Sequence, residues 1–220
     1  MIKNFSIEVL RGLSAIAVIF IHITASTVSE SVKLNNYNFI FDQALLINSF
    51  IRFCVPIFVM ISGMLLLQKR DDYHTIIQYR LPRILVPLLF WSLIYTIIKL
   101  VVKFSLKGEW EIVDASIDLF KAYPFYHLWY LFMVVGLYFL TPLLKYIIDL
   151  YGNKNAFKIS IIFLLIGFCN QLFNHLNENT LFFGVLFFDY IGYYLMGYSI
   201  FFTRKLNNSF LFFCFAYQVF

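Results

Sequence analysis

The chain has 220 residues, 61% of them hydrophobic and only 13% charged, with a mean hydropathy of +0.79. A soluble domain is roughly 45–50% apolar and about 25% charged, so this composition excludes an ordinary water-soluble globule and points to lipid as the solvent. The net charge of +5 is not read as nucleic-acid binding, because basic residues of membrane proteins collect in the loops of one side and set orientation.

A membrane-spanning helix takes about 20 mostly apolar residues. Six runs qualify: residues 9–26, 44–67, 84–104, 128–148, 158–175 and 182–202. A seventh begins near residue 210 and meets the end of the sequence at Phe220, after about half a span. The expected fold is all-α: a polytopic transmembrane helical bundle of six full spans plus a partial seventh. It forms one transmembrane domain over residues 1–220, incomplete at the C-terminus.

Lys3 ahead of the first run and Ala25-Ser26 after it resemble a signal peptide, but Arg11 lies too deep in the run and further spans follow. A retained first helix is expected. Alternate loops are basic: Lys69, Arg70, Arg80 and Arg83 in 68–83, then Lys145, Lys154 and Lys158, then Arg204 and Lys205. The other loops, 27–43, 105–127 and 176–181, carry most of the acids. The excess of Lys and Arg on one side places the N-terminus in the cytoplasm. Cys54, Cys169 and Cys214 sit in apolar runs, where cysteine behaves as a small hydrophobe; neither a disulfide framework nor a metal site is predicted.

Ionisable residues inside spans are costly and default to functional hypotheses. Four stand out: Arg11, His22, Arg52 and Asp189. Arg11 and His22 are eleven residues apart, about three helical turns plus 20°, so they share one face roughly 16 Å apart along the axis. Ala15 and Val18 lie between them, small enough to admit a helix or a ligand. Counting from the span ends puts His22, Arg52 and Asp189 in one layer about 10 Å below the outer face. Mutually paired charges are tolerable there and lone ones are not, so a polar cavity is expected. A structural Arg52–Asp189 ion pair with a helix-packing His22 is the competing reading.

Other groups divide similarly. In the second run, Pro56 frees a carbonyl and can kink the helix, and Ser62-Gly63 permits close approach of a helix or a ligand chain; taken alone, helix packing is the stronger reading. Arg80 and Arg83, flanking Pro82 at the start of the third run, can face one anion, although topology charge explains them as well. His127, Trp129 and Tyr130 open the fourth run as an interfacial belt. Asn170 and Gln171 sit mid-span and are expected to hydrogen-bond another helix.

In this order the pieces resemble membrane acyltransferase family 3, the O-acyltransferases of surface polysaccharides. The resemblance begins with Glu8-Val9-Leu10-Arg11-Gly12-Leu13 and His22, the family's arginine, ten residues, histidine pattern. It continues through Arg52, Val55-Pro56-Ile57-Phe58, Ser62-Gly63, Arg80-x-x-Arg83, His127-Leu128-Trp129-Tyr130-Leu131, Tyr138 to Pro142, and Gly192-Tyr193-Tyr194-Leu195-Met196-Gly197. The segments of the second and fourth runs look closest to the O-acetyltransferase branch. Family members have more spans than this chain offers, so it is expected to be a truncated product or a partial sequence.

The resemblance implies a bacterial cytoplasmic-membrane enzyme moving an acetyl or other acyl group from cytoplasmic acetyl-CoA (acyl-CoA) to a hydroxyl of an envelope glycan or lipid-linked glycan. His22, Arg11 and Arg52 are then catalytic. Arg80, Arg83, Ser62, Gly63, Trp129 and Tyr130 bind substrate. Asp189 joins them on its depth alone, orienting His22 or neutralising Arg52. The partners implied are the acyl-CoA, the glycan and the bilayer, with no metal and no nucleic acid. Two alternatives stay open: a polysaccharide or lipid-linked-sugar exporter, which needs no CoA site and tends to show paired internal repeats, and an inactive fragment of such an acyltransferase.

Overall fold

The computed structural model describes residues 5–68, 73–107, 128–176 and 183–203. Among the described residues the regular elements are helical, with no strand. They are α1 (Phe5–Lys33), α2 (Phe39–Ile51), α3 (Cys54–Leu67), a turn at Tyr73–Thr75 continued by a π-helical turn at Ile76–Arg80, α4 (Pro82–Lys107), α5 (Trp129–Tyr151), a 3-10 turn at Asn153–Asn155, α6 (Ala156–Leu176) and α7 (Phe183–Thr203). Five stretches are long and apolar enough to cross a membrane: Ile7–Lys33, Phe39–Leu67, Tyr73–Ser105, Trp129–Tyr151 and Asn153–Phe173. The sixth expected run forms α7, which those five do not include. The seventh run lies outside the described residues.

Large apolar side chains are exposed along much of α1 and α4. On α1 the buried side chains are Ser14 and Thr24, whereas Leu13, Ile16, Ile19, Phe20 and Ile23 are exposed. On α4, Leu88 and Ser92 are buried and Val86, Leu89, Phe90 and Leu93 are exposed. In water such surfaces would be aggregation sites. Against lipid tails they are the outer coat, and small polar residues such as Ser14, Thr24 and Ser92 are among those that take the buried positions.

Three local features depart from the expected runs, each for a visible backbone reason. First, α1 has 29 residues, about 43 Å of helix against a hydrocarbon core of about 30 Å, so it runs well into the expected 27–43 loop. It ends in a Schellman arrangement. Asn35 is left-handed at φ 49°, a conformation asparagine tolerates, and the Asn36 and Asn35 amides donate to the Ser31 and Val32 carbonyls. Asn38 then caps α2 by accepting the Phe41 amide at 3.0 Å.

Second, the expected run 44–67 is two helices broken at Arg52-Phe53 rather than one kinked helix. Pro56 has no N–H to donate to the Arg52 carbonyl. That carbonyl accepts the Val55 amide instead, at 3.3 Å, and winding resumes at Cys54. The proline thus sits in the first turn of α3, where a missing donor costs least.

Third, helical winding begins at Tyr73, so Arg80 and Arg83 stand inside a helical stretch and not in the expected 68–83 loop. Pro82 cannot donate to the Gln78 carbonyl, and the chain widens to a π turn closed by the Leu81 amide on the Ile76 carbonyl at 2.9 Å.

The fold divides into two units. The first comprises the described residues of Met1–Leu65 and Tyr193–Phe220. In it, a Cβ on Gly63 would run into the Tyr194 carbonyl, and one on Gly197 into the Met60 carbonyl; two glycines let α3 and the later half of α7 touch backbone to backbone. The second unit is Leu66–Gly192. There, Met133, Leu137, Leu144 and Ile148 form one buried stripe along α5, and Gly192 admits the Leu164 backbone of α6.

Candidate active site

Arg11 and His22 stand on the continuous helix α1, so the shared stripe and the axial separation of about 16 Å hold. The Arg11 guanidinium lies 3.4 Å from the Glu8 carboxylate, with the two side chains 40% and 60% exposed. An exposed pair three residues apart adds little stability. It orients Arg11 along the helix and leaves the guanidinium open to a ligand. His22 is half-buried on the α1 stripe.

Arg52 is held by a ladder that crosses from α2 to α1. Its Nε donates to Asn48 Oδ1 at 3.2 Å. Asn48 is buried, and its Nδ2 donates to Thr24 Oγ1 at 2.9 Å and to the Ile21 carbonyl at 3.3 Å. The Thr24 hydroxyl donates in turn to the Phe20 carbonyl at 2.8 Å. The acceptors on α1, Ile21 and Thr24, flank His22 within a single turn. The cation of α2 is thereby tied to the turn that carries the imidazole. Neither Asn48 nor Thr24 was among the expected site residues. The available signal was an asparagine four residues before an intramembrane arginine, a spacing that puts both on one helix face.

Asp189, buried on α7, accepts from Asn170 Nδ2 of α6 at 2.9 Å, and that bond lies wholly within the second unit. The amide gives the carboxylate a donor inside the apolar run. It also meets the expectation that Asn170 bonds another helix.

Next to Asp189, Tyr190 packs its ring against Trp129 at the start of α5, with centroids 5.9 Å apart. Trp129 also meets Tyr130 edge-on at 6.3 Å. Both are half-buried. His127 lies outside the described residues. Ser62 donates back to the Phe58 carbonyl at 2.9 Å, and Gly63 is occupied by α7, so the close approach read from Ser62-Gly63 is made by a helix. Arg80 is half-buried in the π turn and Arg83 is exposed at the start of α4. Arg11, His22, Arg52, Ser62 and Gly63 belong to the first unit; Arg80, Arg83, Trp129, Tyr130 and Asp189 belong to the second.

Long lipid-compatible helices, with an arginine tied by a polar ladder to the helical turn that carries a histidine, describe a membrane protein with polar groups among its helices. The family model of acyltransferase family 3, an acyltransferase domain, matches residues 4–217. The chain belongs to that family and is an acyltransferase, an enzyme that takes an acyl donor and an acceptor. No curated protein and no solved structure matches it.

Proposed function

We propose that this acyltransferase moves an acetyl group from acetyl-CoA on the cytoplasmic side to a hydroxyl of an envelope glycan, within a bacterial cytoplasmic membrane and with its N-terminus in the cytoplasm. The observation that carries the reading is the ladder joining Arg52 to the turn of His22 in a chain of this family. It supports placing a base and a cation at one reacting centre.

His22 takes the proton of the acceptor hydroxyl as its oxygen attacks the thioester carbonyl. The C–O bond forms, the C–S bond breaks, and the CoA thiolate leaves and recovers a proton from the imidazolium. Arg52 faces the negative charge that develops on the carbonyl oxygen. Its bond to Asn48 uses Nε and leaves the two terminal nitrogens as a planar donor pair. Arg80 and Arg83 take the phosphates of the donor, for which guanidinium offers bidentate hydrogen bonds, and Arg11 stands at the cytoplasmic end of α1. Trp129 and Tyr130 offer apolar ring faces to a sugar.

Sided membrane vesicles test this reading. Inside-out vesicles, cytoplasmic face outward, are expected to pass label from external [14C]acetyl-CoA to their glycan, and sealed right-side-out vesicles are not. Equal labelling from both faces contradicts the cytoplasmic donor site.

A further inference from the structure

We infer that Asn48, with Thr24 behind it, is a positioning residue that sets the Arg52 guanidinium against the His22 turn for acyl transfer. The inference deepens the functional reading above and rests on it for the identity of the reaction.

The ladder has a single hydrogen-bond direction. Arg52 Nε–H donates to Asn48 Oδ1, Asn48 Nδ2–H donates to Thr24 Oγ1, and the Thr24 hydroxyl donates to the Phe20 carbonyl. Each donor thus points away from the guanidinium, the order a positive charge at the head of the chain favours, and bonds in such a chain polarise one another. The Asn48 amide makes one bond through its oxygen and two through its nitrogen. Aspartate has no donor for Thr24, and leucine has neither donor nor acceptor. An amide is therefore the group that both holds a cation and grips a neighbouring helix.

Asn48 is 6% exposed and Thr24 8%, whereas the Arg52 side chain is exposed. The anchor is dry and its working end is open. Arg52 also stands where α2 stops and Pro56 prevents the helix from continuing unbroken. Its backbone is thus less constrained than a mid-helix position, which makes a side-chain tether consequential. Acyl transfer needs donors fixed where charge will develop; a guanidinium tethered only by its own flexible stem does not meet that need.

The test uses the full chain in membranes, with [14C]acetyl-CoA as donor and the endogenous glycan as acceptor. Asn48→Leu and Thr24→Val are expected to lower kcat at least tenfold, with the KM for acetyl-CoA unchanged and abundance retained. Thr24→Ser, which restores the hydroxyl, recovers what Thr24→Val loses. Asn48→Leu added to Arg52→Gln costs no further rate, because the tether then has nothing to hold. A parental kcat in Asn48→Leu, or a further tenfold fall in the double variant, overturns the inference.

The parent, Asn48→Leu, Arg52→Gln and the variant carrying both substitutions are also melted in detergent. If the parent transfers no label, the functional reading fails, and the ladder is judged on melting alone. A double variant melting with the weaker single variant upholds the tether, and additive losses overturn it.

Discussion

An arginine inside an apolar helix must satisfy several N–H groups or carry a steep desolvation cost. Arg52 places its Nε on an amide one turn back and keeps the rest of the guanidinium exposed, whereas the buried Asp189 carboxylate accepts from an amide on a neighbouring helix. In both cases a partner is an asparagine amide. Arg80 and Arg83 stand differently: half-buried in a π turn and exposed at a helix start. If they hold donor phosphates, each lost charged hydrogen bond removes about 1.5–3 kcal/mol. Arg80→Ala and Arg83→Ala are each expected to raise the KM for acetyl-CoA by roughly tenfold or more, read from initial rates, with kcat retained. An unchanged KM in both reduces the pair to topology charges. At this scale Arg11, His22 and Arg52 were legible because charge in an apolar run stands out. Asn48 and Thr24 were not, since an uncharged polar side chain in a span usually serves packing, and only the pairing of α1 with α2 turns these two into a tether.

The helices themselves were legible from apolar run length; their interruptions were only partly so. Pro56 announced a disturbance, but whether a proline bends a helix or starts a new one depends on where the freed carbonyl finds a donor. Here the Arg52 carbonyl takes the Val55 amide, and the helix restarts. The π turn before Pro82 is the other answer to the same missing donor. Ser62-Gly63 was legible as a place of close approach but not as to what approaches. With the Tyr194 carbonyl against Gly63, even one methyl group forces α3 and α7 apart. Gly63→Ala is expected to destabilise the protein by about 1–3 kcal/mol, the usual range for an overfilled contact. A lowered melting temperature in detergent checks it, and a parental melting temperature contradicts the contact.

For the whole molecule, 61% hydrophobic residues supply both surfaces: large apolar side chains coat the outside of α1 and α4 and also fill the buried stripe of α5, while glycines admit the closest helix contacts. The family assignment over residues 4–217 gives that architecture its chemistry. Everything proposed for the site converges on one imidazole, because without a base at His22 the ladder would hold Arg52 ready for a reaction that cannot start. General-base catalysis contributes roughly 10²–10⁴ in rate. The most direct measurement is therefore the initial rate of [14C]acetyl transfer from acetyl-CoA to membrane glycan, parent against His22→Ala at matched abundance. A fall of at least about a hundredfold is the predicted result, and transfer by His22→Ala at the parental rate would contradict the account.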